Sequence, residues 1–116
     1  MEKVSIWHNA RCGKSRQAVA LLEENNIEFD IVKYLDKDLT FDEMKDIVRK
    51  LGFHAKELLR DGEDDYKKLK LKGETDEDVI IQAMVDHPKL IQRAIVIKGD
   101  KAVLGRPPEK VLELFN

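Results

Sequence analysis

The sequence has only one cysteine, Cys12, in 116 residues. A single thiol excludes an internal disulfide and agrees with a reducing, cytoplasmic setting. It also excludes a dithiol redox site of the Cys-x-x-Cys kind, because Ser15 stands where the second cysteine would be. A phosphatase loop of the Cys-x5-Arg kind is excluded too, since Ala18 takes the arginine's place. No apolar run approaches the length of a membrane span. The amino terminus runs straight into a strand-like segment, without the charged-then-apolar pattern of a signal peptide. Neither sign of charge dominates, with 21 Lys and Arg against 23 Asp and Glu and a net charge of −2. That balance gives no electrostatic reason to expect general nucleic-acid binding, and with no membrane-length apolar run no membrane partner is expected. There is no internal repeat or low-complexity tract. With 42% hydrophobic residues, the chain is expected to fold as one domain with a modest core.

What is present gathers around the cysteine, in Trp7-His8-Asn9-Ala10-Arg11-Cys12-Gly13-Lys14-Ser15-Arg16. A lone cysteine is ordinarily a small buried hydrophobe. The Arg, Gly, Lys and Ser around this one argue instead for a solvated segment. Val4 to Trp7 reads as a strand, and Ser15 to Glu24 as a helix with Ala18, Val19, Leu21 and Leu22 on its buried face. Cys12 therefore falls in the turn from strand to helix. There, free backbone N–H groups and the positive dipole end favour an anion and lower a thiol pKa. Arg11, Lys14, Arg16 and His8 are close by in sequence. The pattern is that of a monothiol site, with a hydroxyl where a resolving thiol would sit.

Ile27, Phe29 and Ile31 alternate with Glu28 and Asp30, which predicts a strand with one buried face and completes a β-α-β unit. Residues 36–38 read as a loop. Thr40 and Glu43 predict a capping box ahead of an amphipathic helix that stops at Gly52. Short helical pieces are expected over 55–59 and 65–69. Arg60 follows two leucines and reads either as a surface arginine or as one held at the edge of the core. Thr75 and Asp78 predict a second capping box, on a helix ended by His87-Pro88. Residues 93–97 and 102–105 flank a turn and read as an antiparallel hairpin. Pro107 and Pro108 open a last helix. The order β-α-β, helices, β-β-α predicts an α/β thioredoxin-like fold. It would have a mixed sheet of about four strands and a helical insertion over about 37–92.

Across residues 4–115 the chain resembles the glutaredoxin-coupled arsenate reductase family, often called ArsC. The motifs that carry the likeness are the segment from His8 to Arg16, Leu58-Leu59-Arg60, Asp86-His87-Pro88, Ile91-Gln92-Arg93 and Gly105-Arg106-Pro107. The resemblance implies that Cys12 attacks arsenate and that Arg60, Arg93 and Arg106 surround the oxyanion. It assigns His8 and Ser15 to tuning the thiolate, beside the neighbouring charges of Arg11 and Arg16. It further implies glutathione or a similar thiol as co-substrate, glutaredoxin as partner, a monomer, and no bound cofactor or metal. Two positions depart from the family pattern. Ala10 replaces a proline, and Ala94 replaces the cis-proline that follows the arginine at 93. A non-proline cis bond costs about 3–4 kcal/mol, so the Arg93–Ala94 bond is expected to be trans. Two other functions fit the same sequence: a thiol oxidoreductase of another substrate, and an Spx-type regulator that binds RNA polymerase without turnover.

Overall fold

The computed structural model describes residues 3–9, 13–36, 38–105 and 108–115. The chain divides into two compact units, Met1–Lys37 with Arg93–Asn116, and Asp38–Gln92.

The first unit holds a four-stranded mixed sheet in the order β2-β1-β3-β4. Its strands are β1 (Val4–Trp7), β2 (Asp30–Val32), β3 (Ile95–Lys98) and β4 (Lys101–Leu104). β1 runs parallel to β2 and antiparallel to β3, with Ile6 opposite both Ile31 and Val96. Alternate residues of these strands point to opposite faces. Val4, Ile6 and Val96 thus share one face, and they form a core with Ala18, Leu22 and Val111. Ala18 and Leu22 come from helix α1 (Gly13–Glu24), and Val111 from the 3-10 helix Pro108–Phe115. Gly105 is required where that last helix closes in. A Cβ there would lie 3.1 Å from Val111 Cγ1 and 3.5 Å from the Ala94 carbonyl oxygen. On the opposite face Trp7 stacks on Tyr34, with ring centroids 5.7 Å apart and planes 17° apart.

The second unit is helical. Helix α2 (Phe41–Leu51) carries the expected capping box at Thr40 and Glu43 and ends on Gly52 at φ 76°. It packs against α4 (Glu77–Asp86), with Met44, Ile47 and Val48 facing Ile80, Ile81, Ala83 and Met84 as the buried sets. Helix α3 (Asp64–Lys68) is short, and 3-10 turns occupy Ala55–Leu58, Leu71–Gly73 and Pro88–Leu90.

Four local expectations are corrected. The second strand is shorter than 27–31 and Ile31 is 48% exposed. The Ile27 N–H is taken by the Leu22 carbonyl at 3.0 Å and Asn26 sits at φ 57°. These residues finish α1 in a left-handed C-terminal cap, so the ladder begins only beyond them. The cap of α4 is Asp76, whose carboxylate accepts from the Asp78 N–H at 2.9 Å. A charged acceptor one residue after Thr75 suits the helix dipole better than the hydroxyl. The last helix is of the 3-10 type. Finally, the Arg93–Ala94 peptide bond is cis. The trans expectation weighed the dipeptide alone. In the fold Ala94 is wholly buried and its carbonyl accepts the Gly105 N–H at 2.8 Å, so tertiary context decides.

Candidate active site

The site starts where β1 ends. His8 N–H donates to the Val32 carbonyl at 2.9 Å, which anchors the outgoing chain to β2. One residue on, Asn9 N–H donates to Ser15 Oγ at 3.3 Å. Ser15 is fully buried and is the buried polar residue of the described chain. The hydroxyl thus ties the segment after β1 to the first turn of α1. His8 lies one residue before the Asn9 that Ser15 holds.

Burial holds the His8 imidazole below its usual value of 6.5, and the positive charges of Lys33 and Arg16 lower it further. Near neutral pH this favours an uncharged imidazole beside the positive charges of Lys33 and Arg16. His8 Nδ1 is buried and has no hydrogen-bond partner among the described residues. Arg16 is exposed, and one of its Nη atoms lies 3.8 Å from where a Gly13 Cβ would be, so it reaches back over the start of α1. Cys12, Arg11 and Arg106 lie outside the described residues.

Arg93 belongs to the same unit and immediately precedes the buried Ala94. Its Nε is buried without a hydrogen-bond partner among the described residues. Such a group costs free energy unless something pairs with it, which marks it as a candidate ligand contact.

Arg60 lies in the helical unit and is neither fully exposed nor buried. Its backbone is fixed by a short antiparallel ladder in which Leu59 pairs with Ile91. Arg60 N–H donates to the Leu90 carbonyl at 2.7 Å, and Gln92 N–H to the Leu58 carbonyl at 2.9 Å. The Gln92 side chain reinforces the ladder by donating to the carbonyls of Glu57 and Leu59. The Arg60 side chain pairs with Glu63 at 2.9 Å.

Sequence reasoning missed three participants. Glu63 was visible as an acid three residues after Arg60, a spacing that lets side chains meet in a turn. Lys33 and Asn9 gave no signal, because the first acts from the far end of β2 and the second through its backbone. Among the described residues no group of three or more His, Cys, Asp or Glu could hold a metal ion. No helix among them is long and apolar enough to cross a membrane.

The sequence profile of the ArsC family matches residues 7–114. The chain belongs to the ArsC family. A protein of Escherichia coli named uncharacterized protein YfgD is 46% identical over 117 residues, covering 99% of this chain and 98% of the relative. A Neisseria meningitidis protein named arsenate reductase is 44% identical over 113 residues, 96% of this chain and 97% of its own. A solved structure described as an arsenate reductase from Vibrio cholerae superposes with a TM-score of 0.91 at 40% identity, over 97% of each chain. The fold of this ArsC protein is thioredoxin-like, with a central helical insertion in a chain whose sheet has four strands.

Proposed function

We propose that this protein is an arsenate reductase that uses Cys12 as its one nucleophile and an external thiol as reductant. The observation that carries the reading is the buried polar cluster at the start of α1. There Ser15 is fully buried against the Asn9 N–H, and His8 Nδ1 is buried and unpaired among the described residues. Polar atoms are kept out of water at such a cost only when a fold or a ligand uses them. Membership of the ArsC family over residues 7–114 supports the choice of oxyanion.

In this mechanism Arg93, Arg60 and Arg106 hold the tetrahedral oxyanion, each offering a planar fork of donors. The positive end of α1, with Arg11 and Arg16, favours the Cys12 thiolate, and the hydroxyl of Ser15 and the imidazole of His8 tune it. The thiolate attacks arsenic, an S–As bond forms, and one arsenate oxygen leaves as water. A glutathione thiol, or one like it, then attacks the Cys12 sulfur. The S–As bond breaks, its electron pair goes to arsenic, and arsenite leaves with arsenic two electrons reduced. The two thiols end as a mixed disulfide, which glutaredoxin clears by thiol exchange. The arginines stabilise the charge that develops on the adduct. The protein acts as a cytoplasmic monomer without a bound cofactor.

A coupled assay tests the reading. Purified protein with arsenate, glutathione, glutaredoxin and NADPH should consume NADPH in an arsenate-dependent way and release arsenite. Cys12→Ser should abolish that turnover and leave thermal unfolding unchanged. No arsenate-dependent consumption by the wild type would refute the assignment.

A further inference from the structure

Arg60 stands in the structure with its charge already engaged. Its Nη1 donates to Glu63 Oε1 at 2.9 Å, and the two side chains are 30% and 29% exposed. No other side-chain partner of Arg60 occurs among the described residues. The backbone sets the pair in place, because Glu63 N–H donates to the Arg60 carbonyl at 3.3 Å and closes a turn between them. Among the described residues Glu63 has no other side-chain partner. It directly precedes α3, yet its side chain makes no capping bond to that helix. Thr40 and Asp76 hold the same place before α2 and α4, and both cap. A carboxylate that caps nothing and faces a guanidinium is placed for the guanidinium.

We propose that Glu63 sets the oxyanion affinity of the site as a resident anion that competes for Arg60. This rests on the reading that Arg60 contacts the oxyanion. An arginine grips a tetrahedral oxyanion best with two parallel N–H groups. With Nη1 on Glu63, an incoming oxyanion gains that edge of the fork only by displacing the carboxylate. The negative charge of Glu63 opposes the negative guest as well. Both effects weaken binding, and both act alike on arsenate and on its tetrahedral look-alike, phosphate.

Inorganic phosphate is therefore a probe that binds without turnover. Its affinity is measured by calorimetric titration at low salt for wild type, Glu63→Gln, Arg60→Ala and the double variant. Glu63→Gln keeps the size and the hydrogen-bond acceptor and removes the charge. It should bind phosphate about two- to fivefold more tightly, the scale of a partly exposed ion pair. In the Arg60→Ala background the same change should give no gain. Phosphate binding no tighter in Glu63→Gln than in wild type overturns the proposal, and so does an equal gain when Arg60 is absent. Arsenate turnover measured in parallel keeps the two claims apart. A protein that reduces arsenate while Glu63→Gln leaves phosphate affinity unchanged loses the role of Glu63 and keeps the reductase reading. A protein with no turnover but with the expected affinity pattern loses the reductase reading and keeps the role of Glu63.

Discussion

Helices α1 and α2 are nearly equal in length and begin in opposite ways. α2 opens under the Thr40 capping box with Asp42 and Glu43 in its first turn, and it closes on Arg49, Lys50 and a left-handed Gly52. Each of these features stabilises a helix. α1 opens Gly13-Lys14-Ser15-Arg16, with no acidic residue in its first turn. Cations at the positive end of a helix are unfavourable, by about 0.3–1 kcal/mol each. The contrast teaches that α2 is built at both ends for stability. The start of α1 lacks these features and carries basic residues at its positive end, the arrangement that the proposed oxyanion site would use.

The harshest way to break this comparison is to remove a cation that the account reserves for the guest. Arg93→Ala should lower kcat/KM for arsenate by about a hundredfold, the scale seen when one donor to a developing charge is lost. Arg93→Lys should restore only part of it, because an ammonium lacks the planar fork. Wild-type turnover in Arg93→Ala would make the buried Nε a structural accident.

Ser15→Ala is intermediate in size. It removes the bond from the Asn9 N–H to Ser15 Oγ and should cost about 1–3 kcal/mol in urea unfolding, together with a loss of activity. Thr40→Ala is the matching edit on α2. It should cost about 1 kcal/mol of stability and leave kcat/KM untouched. If Thr40→Ala lowered activity as much as Ser15→Ala does, the division between a stabilising and a functional helix start would fail.

The smallest effect concerns pH. The folded His8 pKa lies below the usual 6.5, pushed down by burial and then by Lys33 and Arg16. Between the two values the unfolded chain binds more protons than the folded one, so stability falls as pH drops through that window. The urea midpoint of the wild type should therefore drop more between pH 7.5 and pH 5.5 than that of His8→Gln. Equal drops would show that His8 is not held neutral by its surroundings.

Periodicity and capping chemistry made most of the fold legible before any coordinates. The α2 boundaries were written in Thr40, Glu43 and Gly52, and the hairpin in the turn residues between Ile97 and Ala102. The shortened β2 was not legible, because Asn26 and Ile27 serve as the cap of α1, and alternation alone cannot tell a cap from a ladder. The cis bond at Ala94 was also out of reach, since a local preference is silent about the burial and the Gly105 contact that act there. Within the site, His8 and Ser15 could be named through the resemblance of the segment from His8 to Arg16 to the ArsC family. Lys33 could not, because its influence on His8 depends on the parallel pairing of β1 and β2. Glu63 was visible only as an i+3 acid, a pattern shared by many surface pairs.

The central claim is that the start of α1 is kept positive for an anion, and the thiol at its threshold reports on it most directly. The rate of Cys12 alkylation by iodoacetamide, followed by mass spectrometry across a pH series, gives the thiol pKa without reference to any substrate. A free thiol titrates at about 8.5, and a helix terminus with nearby cations lowers this to roughly 3.5–7.5. The account predicts a value in that lower range for the wild type, rising in Arg16→Glu. A Cys12 pKa of about 8.5 or above, unmoved by Arg16→Glu, would contradict it.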